Sequence, residues 1–456
     1  MNIVMIHTHD TGQYNSAYGI DAPTEALKQF SQEAFVGQNV FCVSPTCSPS
    51  RGAMMTGQYP HNNGLVGLAH RGFSLDRPTE HLAWFLQRNG YMTVLAGIQH
   101  EEQFWFPKEV AYKSAQHLGY ELNITSYDGE INDGNAYMDW DEQNAKNIEA
   151  FIRNYSHEQP FFLSYGLFST HRQYPDINQC KSAANQNVHI PHTLHSNETN
   201  RRDTQKLHES LYRFDENFSR VIRALKEKGI YEETIILYTT DHGLANPFAK
   251  GNLNDAGTKV SFVLRSPQHK KTHGIISDAL ISQIDWFPTL CDILQLEPPD
   301  YLEGKSFYEL LSSPKKTHRK EVFCEQNFHT SYEPVRSIRT QRYRLIKFLD
   351  TNWKKYNLSN CDESDAKSLL IESGWQDHNK EQMQLYDLYF DPYEKNNLYG
   401  KKRYEKIAKE LEQQLHEWQI ISKDKMWDKQ EYVGKYKVNK KQCIYPSIRS
   451  IEDIER

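Results

Sequence analysis

One pattern, repeated four times, constrains the fold more than anything else in the chain. An apolar run that reads as a strand stops at a polar loop containing His or Asp. Residues 2–6 lead into His7-Thr8-His9-Asp10-Thr11-Gly12, and residues 92–95 into Gly97-Ile98-Gln99-His100. Residues 161–168 end at Thr170-His171-Arg172, and residues 234–238 at Thr239-Thr240-Asp241-His242-Gly243. Helical patterns separate these runs. In the strongest, Thr204 to Lys228, Leu207, Leu211, Phe214, Phe218, Val221, Ile222 and Leu225 form one stripe, and Gly229 stops it. Strands alternating with helices to about residue 310 predict an α/β domain, a large, mostly parallel sheet with helices on both faces. Such sheets place ligands at the carboxyl ends of their strands, so the four polar strand ends are expected to share one site.

At 456 residues the chain is long for a single core. After residue 320 the pattern changes to short strands: Glu321 to Cys324, Val335 to Arg339, Tyr343 to Phe348 and Leu385 to Leu388. A late amphipathic helix carries Tyr404, Ile407, Leu411, Leu415 and Trp418, while residues 350–380 read as polar loop. The expected division is a catalytic domain over 1–320 and a smaller α+β domain over 321–456, with an antiparallel sheet and a packed helix. A net charge of −6 offers no footprint for nucleic acid, and no apolar run has the length of a membrane span. The N-terminus reads directly as a strand without a leader, which sets the expectation of a cytoplasmic protein. Seven scattered cysteines without a CxxC give no disulfide framework, and those other than Cys47 are read as free thiols.

Residues 41–57 carry the chemistry. Ser48 is a plausible helix N-cap, Pro49 suits the first helical position and Gly57 a C-terminal stop. Cys47 is therefore expected just before a short helix, facing solvent, where backbone N–H groups favour an anion. Arg51 adds a planar positive charge in the first turn. A sulfur nucleophile, an anion cradle and an Arg point to chemistry on a sulfate or phosphate ester.

The order Cys47-x-Pro49-x-Arg51 with Thr56-Gly57 resembles the sulfatase signature, whose cysteine is oxidised after translation to formylglycine. Asp241-His242-Gly243, Lys250-Gly251 with Gly257, and Leu385-Tyr386-Asp387-Leu388 extend the resemblance to the alkaline phosphatase superfamily along nearly the whole chain. Thr46 to Gly57, His61, Asn63-Gly64, Gly67-Leu68 and Ser169-Thr170-His171-Arg172 look closest to heparan N-sulfatases (sulfamidases). The resemblance implies one calcium ion held by Asp10, Asp241, His242 and residue 47. It implies that Arg51 and Lys250 stabilise sulfuryl charge, that His171 protonates the leaving atom, and that His100 takes the proton that releases sulfate. It also implies a formylglycine-generating maturation enzyme as partner and a sulfated sugar as substrate, N-sulfoglucosamine first.

Two departures stand out. His9 occupies a position where the family pattern carries Asp, and can be read as a metal ligand, a substrate contact or a partner of residue 47. Ile98 replaces the Lys of the family's Gly-Lys-x-His pattern, although His100 is kept. His70, Arg71 and His329, in polar loops beside the matched segments, are candidates to reach the sugar. The alternatives are a phosphodiesterase or phosphonate monoester hydrolase of the same superfamily, and a noncatalytic sulfoglycan-binding protein.

Overall fold

The computed structural model describes residues 1–456 apart from 104–107, 128–130, 157, 177, 179–186, 425–433 and 456. The large sheet contains β1 (Asn2–Thr8), β2 (Phe35–Phe41), β3 (Met92–Gly97), β4 (Leu122–Asn123), β5 (Phe161–Gly166), β6 (Thr234–Thr240), β7 (Phe262–Arg265) and β8 (Ile275–Ser282). Its order is β4-β3-β5-β1-β6-β7-β2-β8. Every pairing is parallel except the two made by β7, which runs against β6 and β2. Buried on both faces, β1 and β6 are fully enclosed along their lengths, as their continuous apolar character requires.

The order explains the site. The strands that end in polar clusters, β3, β5, β1 and β6, are four adjacent strands running the same way. Their carboxyl ends therefore share one edge, where His100, His171, His9-Asp10 and Asp241-His242 emerge.

Two apolar layers hold the sheet. On one side Leu82, Leu86, Trp286, Phe287 and Leu290 pack with Met54 and Met55. On the other, Phe214, Phe218, Val221 and Leu225 meet Ile148 and Ile152 under Val4, Ile6 and Ile236. The long helix runs Glu198–Lys228, with the Asn197 side chain accepting from Asn200 N at its start and Gly229 closing it in the left-handed region. Its first turn lies upstream of the apolar stripe, so the periodicity alone begins too late.

A second sheet, β12-β11-β10-β9, is antiparallel: β9 is Glu321–Phe328, β10 Tyr332–Thr340, β11 Tyr343–Phe348 and β12 Met383–Asp387. The helix Glu405–Ile421 packs Leu411, Leu415 and Trp418 against Ile338, Leu345 and Leu385. Within residues 350–380, expected as loop, a helix forms over Asp365–Glu372 because the Ser364 side chain caps it, accepting from Lys367 N. Among the described residues no helix is long and apolar enough to cross a membrane. Cys42, Cys47, Cys291, Cys324, Cys361 and Cys443 are free, and Cys180 lies outside the described residues.

Candidate active site

The helix Cys47–Thr56 begins two residues earlier than its N-cap signals indicate, with Thr46 rather than Ser48 as N-cap. Ser48 does not cap it; its hydroxyl accepts from Ala69 N and ties the helix to the next loop. Gly57 ends it in the left-handed region at φ 67°. Cys47 is only 2 % exposed rather than solvent-facing, and the loop after β6 lies against the helix start through Asp241 and His242. Its Sγ lies 3.3 Å from His242 Nε2. Burial opposes the thiolate, but Lys250, His9 and His242 outweigh it and hold the Cys47 pKa well below its ordinary value.

Around Cys47 the ligating atoms of His9, Asp10, Asp241 and His242 all lie within 4.8 Å of one another and of the sulfur. Asp10 sits at a positive φ of 56°, in the left-handed region. Its N–H donates to Asp241 Oδ1 at 2.9 Å, coupling the β1 and β6 loops. His9 Nδ1 is 3.0 Å from both Asp10 Oδ1 and Asp241 Oδ2. His242 Nε2 is 3.2 Å from Asp10 Oδ1, and its Nδ1 faces Gly243 O at 3.0 Å. Two buried carboxylates and two imidazoles facing one point suit a divalent cation, since anionic oxygens so close need a positive charge between them. The set is not the all-oxygen cage that calcium prefers.

Cations ring the cluster. Lys250 Nζ donates to Asp10 Oδ2 at 2.8 Å, and its other carboxylate partner is Asp362 Oδ2 at 2.9 Å. Against the cost of burial these two carboxylates keep the Lys250 pKa well above its usual value. Arg51 is fully buried; its Nε donates to Asp241 Oδ2 at 3.1 Å, its Nη2 to Thr8 O at 3.2 Å, and its Nη1 meets His7 Nδ1 at 2.7 Å. These contacts place Arg51 as the brace that orients Asp241.

His171 Nε2 lies 3.4 Å from Lys250 Nζ and 3.8 Å from Asp10 Oδ2. His100, at φ 61°, interacts electrostatically with Cys47; its Nε2 meets His70 Nδ1 at 3.2 Å and its Nδ1 is buried without a hydrogen-bond partner. Burial lowers the pKa of His100, and lowers that of His70 to about 3, so both rings are neutral near pH 7. Thus His9, Asp10, Cys47, Arg51, His70, His100, His171, Asp241, His242 and Lys250 are brought together.

Arg71 is not. Its Nη1 donates to Lys437 O at 2.8 Å and Asn439 Oδ1 at 2.9 Å, and its Nη2 to Pro446 O at 2.5 Å. It clamps the C-terminal segment by donating to two of its backbone carbonyls and one side-chain amide. His329 is buried, with an unpartnered Nδ1, within electrostatic reach of His70 and Asp362. Asp362, which sequence reasoning missed, comes from the region read as polar loop; nothing local marks it, since its meaning lies in a contact with Lys250.

With the geometry in place, comparison with known proteins is decisive. The family model described as "Sulfatase" matches residues 1–296. The chain belongs to the sulfatase family. A second model, "N-sulphoglucosamine sulphohydrolase, C-terminal", matches residues 241–378. Human N-sulphoglucosamine sulphohydrolase is 24 % identical over 93 % of this chain and 90 % of its own length. An N-acetylglucosamine-6-O-sulfatase of Bacteroides thetaiotaomicron is 24 % identical over 95 % and 88 %. Two solved structures share the fold. One, in complex with its substrate D-glucosamine-2-N,6-O-disulfate, has TM-score 0.67 and 21 % identity, covering 94 % of this chain and 99 % of that one. The phosphonate monoester hydrolase of Agrobacterium radiobacter has TM-score 0.64 and 18 % identity, covering 92 % and 96 %. This sulfatase is a sulfuric ester hydrolase built on the alkaline phosphatase fold.

Proposed function

We propose that this sulfatase removes sulfate from the glucosamine unit of a short glycan, with the N-sulfate as first choice, through a formylglycine made from Cys47 by a maturation enzyme. The observation that carries the reading is Cys47, buried at a helix start 3.3 Å from His242 Nε2 and inside the Asp10–Asp241 cluster. The match of residues 241–378 to the sulphoglucosamine sulphohydrolase C-terminal model, and the glucosamine names of two relatives, favour the sugar.

His9, Asp10, Asp241, His242 and residue 47 would hold one divalent cation, which supplies Lewis acidity to the nucleophile and to the sulfuryl oxygens. The hydrate of an aldehyde at residue 47 supplies two hydroxyls on one carbon, one to attack sulfur and one to release it. The rest falls to this chain's side chains. Lys250 sets its ammonium beside Asp10, where it holds the transferring anion. Arg51 fixes Asp241. His171 Nε2 stands at the rim, placed to give a proton to the leaving oxygen or nitrogen. His100, neutral through burial and set against residue 47, receives the proton of the second hydroxyl. Asp362 holds Lys250 from the mouth side, and its negative charge there favours a substrate with hydroxyl or amine groups next to the sulfate.

The test is a hydrolysis panel with the matured protein: N-sulfoglucosamine, 6-O-sulfoglucosamine, an aryl sulfate and a phosphodiester. Turnover greatest on a sulfoglucosamine is expected. Preference for the phosphodiester would overturn the reading, and tight sulfosugar binding without turnover would favour a noncatalytic binder.

A further inference from the structure

We infer that the cation site is built for an imidazole-binding first-row ion of the zinc class in preference to calcium, and that His9 makes the difference. The inference rests on the proposed cation site and deepens it. Apart from residue 47, half of the converging ligands are imidazoles: His9 and His242 against Asp10 and Asp241. Calcium takes six to eight oxygen ligands and gains affinity with the count of carboxylates. Imidazole nitrogen suits zinc and its neighbours instead.

The rings are presented as ligands rather than merely nearby. The Gly243 carbonyl at 3.0 Å accepts from His242 Nδ1, so Nε2, the atom facing Cys47 and Asp10, is the one left to bind a cation, which would replace its proton. His9 directs Nδ1 between the two carboxylates, 3.0 Å from each, where a bound cation would replace its proton. Its backbone is pinned on both sides: His9 N donates to Ser169 O at 2.8 Å, and Thr170 N donates to His9 O at 2.8 Å. Its ring is wedged edge-on against His171, with centroids 4.8 Å apart. The carboxylates, meanwhile, are already shared. Lys250 takes Asp10 Oδ2 and Arg51 takes Asp241 Oδ2, which reduces the negative charge left for a hard ion. Both features move the site the same way, toward nitrogen-assisted binding.

The experiment removes the one confounding donor. An unmodified Cys47 sulfur would itself favour zinc, so the protein used is Cys47→Ala, stripped with a chelator. It is dialysed against equal concentrations of Ca²⁺, Mg²⁺ and Zn²⁺, and bound metal is measured by elemental analysis. Zinc retained over calcium is expected. Adding His9→Asp should lower zinc affinity about 10–100-fold, the scale on which metal-site partners act, and raise that of calcium. Zinc-edge X-ray absorption on the Cys47→Ala protein needs no second variant and should count two imidazole nitrogens. Calcium retained over zinc, no bound metal, a single imidazole, or selectivity unchanged by His9→Asp in a folded protein would each overturn the inference. The hydrolysis panel separates the two ideas: a calcium-selective protein that still desulfates sugars loses only this inference, and a zinc-selective one without desulfation loses only the substrate reading.

Discussion

Lys250 and Asp362 come from different sheets' connections, and their coupling can be measured. Lys250 Nζ lies 2.8 Å from Asp10 and 2.9 Å from Asp362, with the lysine side chain 2 % and the Asp362 side chain 14 % exposed. Lys250→Met keeps an unbranched side chain one atom shorter and removes the charge. It leaves two carboxylates without their ammonium, and breaking a buried pair in this way costs about 3–5 kcal/mol. Asp362→Asn leaves the lysine its contact with Asp10 and keeps one acceptor, so its cost is smaller, about 1–3 kcal/mol. If the pair is real, the double variant is destabilised by less than the sum of the two, with a coupling energy of about 0.5–3 kcal/mol. Urea unfolding of the four proteins, followed by far-ultraviolet circular dichroism, reads this directly. Turnover of a sulfoglucosamine by Lys250→Met should fall about 10²–10³-fold, the loss expected for one donor to a transferring anion. Additive destabilisation, to within about 0.3–0.5 kcal/mol, would refute the contact and with it the role given to Asp362.

Two other perturbations test the frame around the site. Arg336 and Asp424 form a buried bidentate pair, Nε to Oδ2 at 2.6 Å and Nη2 to Oδ1 at 2.8 Å, that fastens the chain after the C-terminal helix to β10; Asp424→Asn should cost about 3–5 kcal/mol in urea unfolding. Burial raises the Asp424 pKa, but Arg336 outweighs it and the folded value is well below the ordinary one. The pair's stabilisation is therefore present above the unfolded pKa of about 3.9 and is lost as pH falls toward the folded value, so the difference between wild type and Asp424→Asn should shrink below about pH 4. Arg71→Ala should loosen the segment carrying Lys437, Asn439 and Pro446, seen as faster limited proteolysis there, with KM unchanged; a raised KM with normal proteolysis would return Arg71 to the substrate.

The sequence discloses some parts of this molecule and hides others for physical reasons. The strand ends at His9-Asp10, His100, His171 and Asp241-His242 are legible because an apolar run buried on both faces must stop where its chain turns polar. Their union at one edge follows once the runs are parallel. Strands β2 and β8 are harder to read. The first carries Gly37, Gln38 and Asn39 in its middle, and the second, at the sheet edge, alternates exposed Ile276 and Asp278 with buried Ser277 and Ala279. The burial of Cys47 is also hidden, since Ser48 and Pro49 give a helix start but not the loop that lies against it. Arg71 and Asp362 look alike from sequence, as polar residues in polar loops. Only tertiary contact separates a clamp on the C-terminal segment from a partner of Lys250.

The proposed chemistry begins at residue 47, and one coupled measurement addresses it most directly. The protein, produced with and without a formylglycine-generating enzyme, is digested, and the peptide containing residue 47 is weighed alongside sulfoglucosamine turnover by the same preparations. A peptide lighter by about 18 Da, the change from cysteine to formylglycine, should appear only with the maturation enzyme. Multiple turnover should rise in proportion to the converted fraction. Full turnover by protein whose residue 47 is entirely unmodified cysteine would contradict the account.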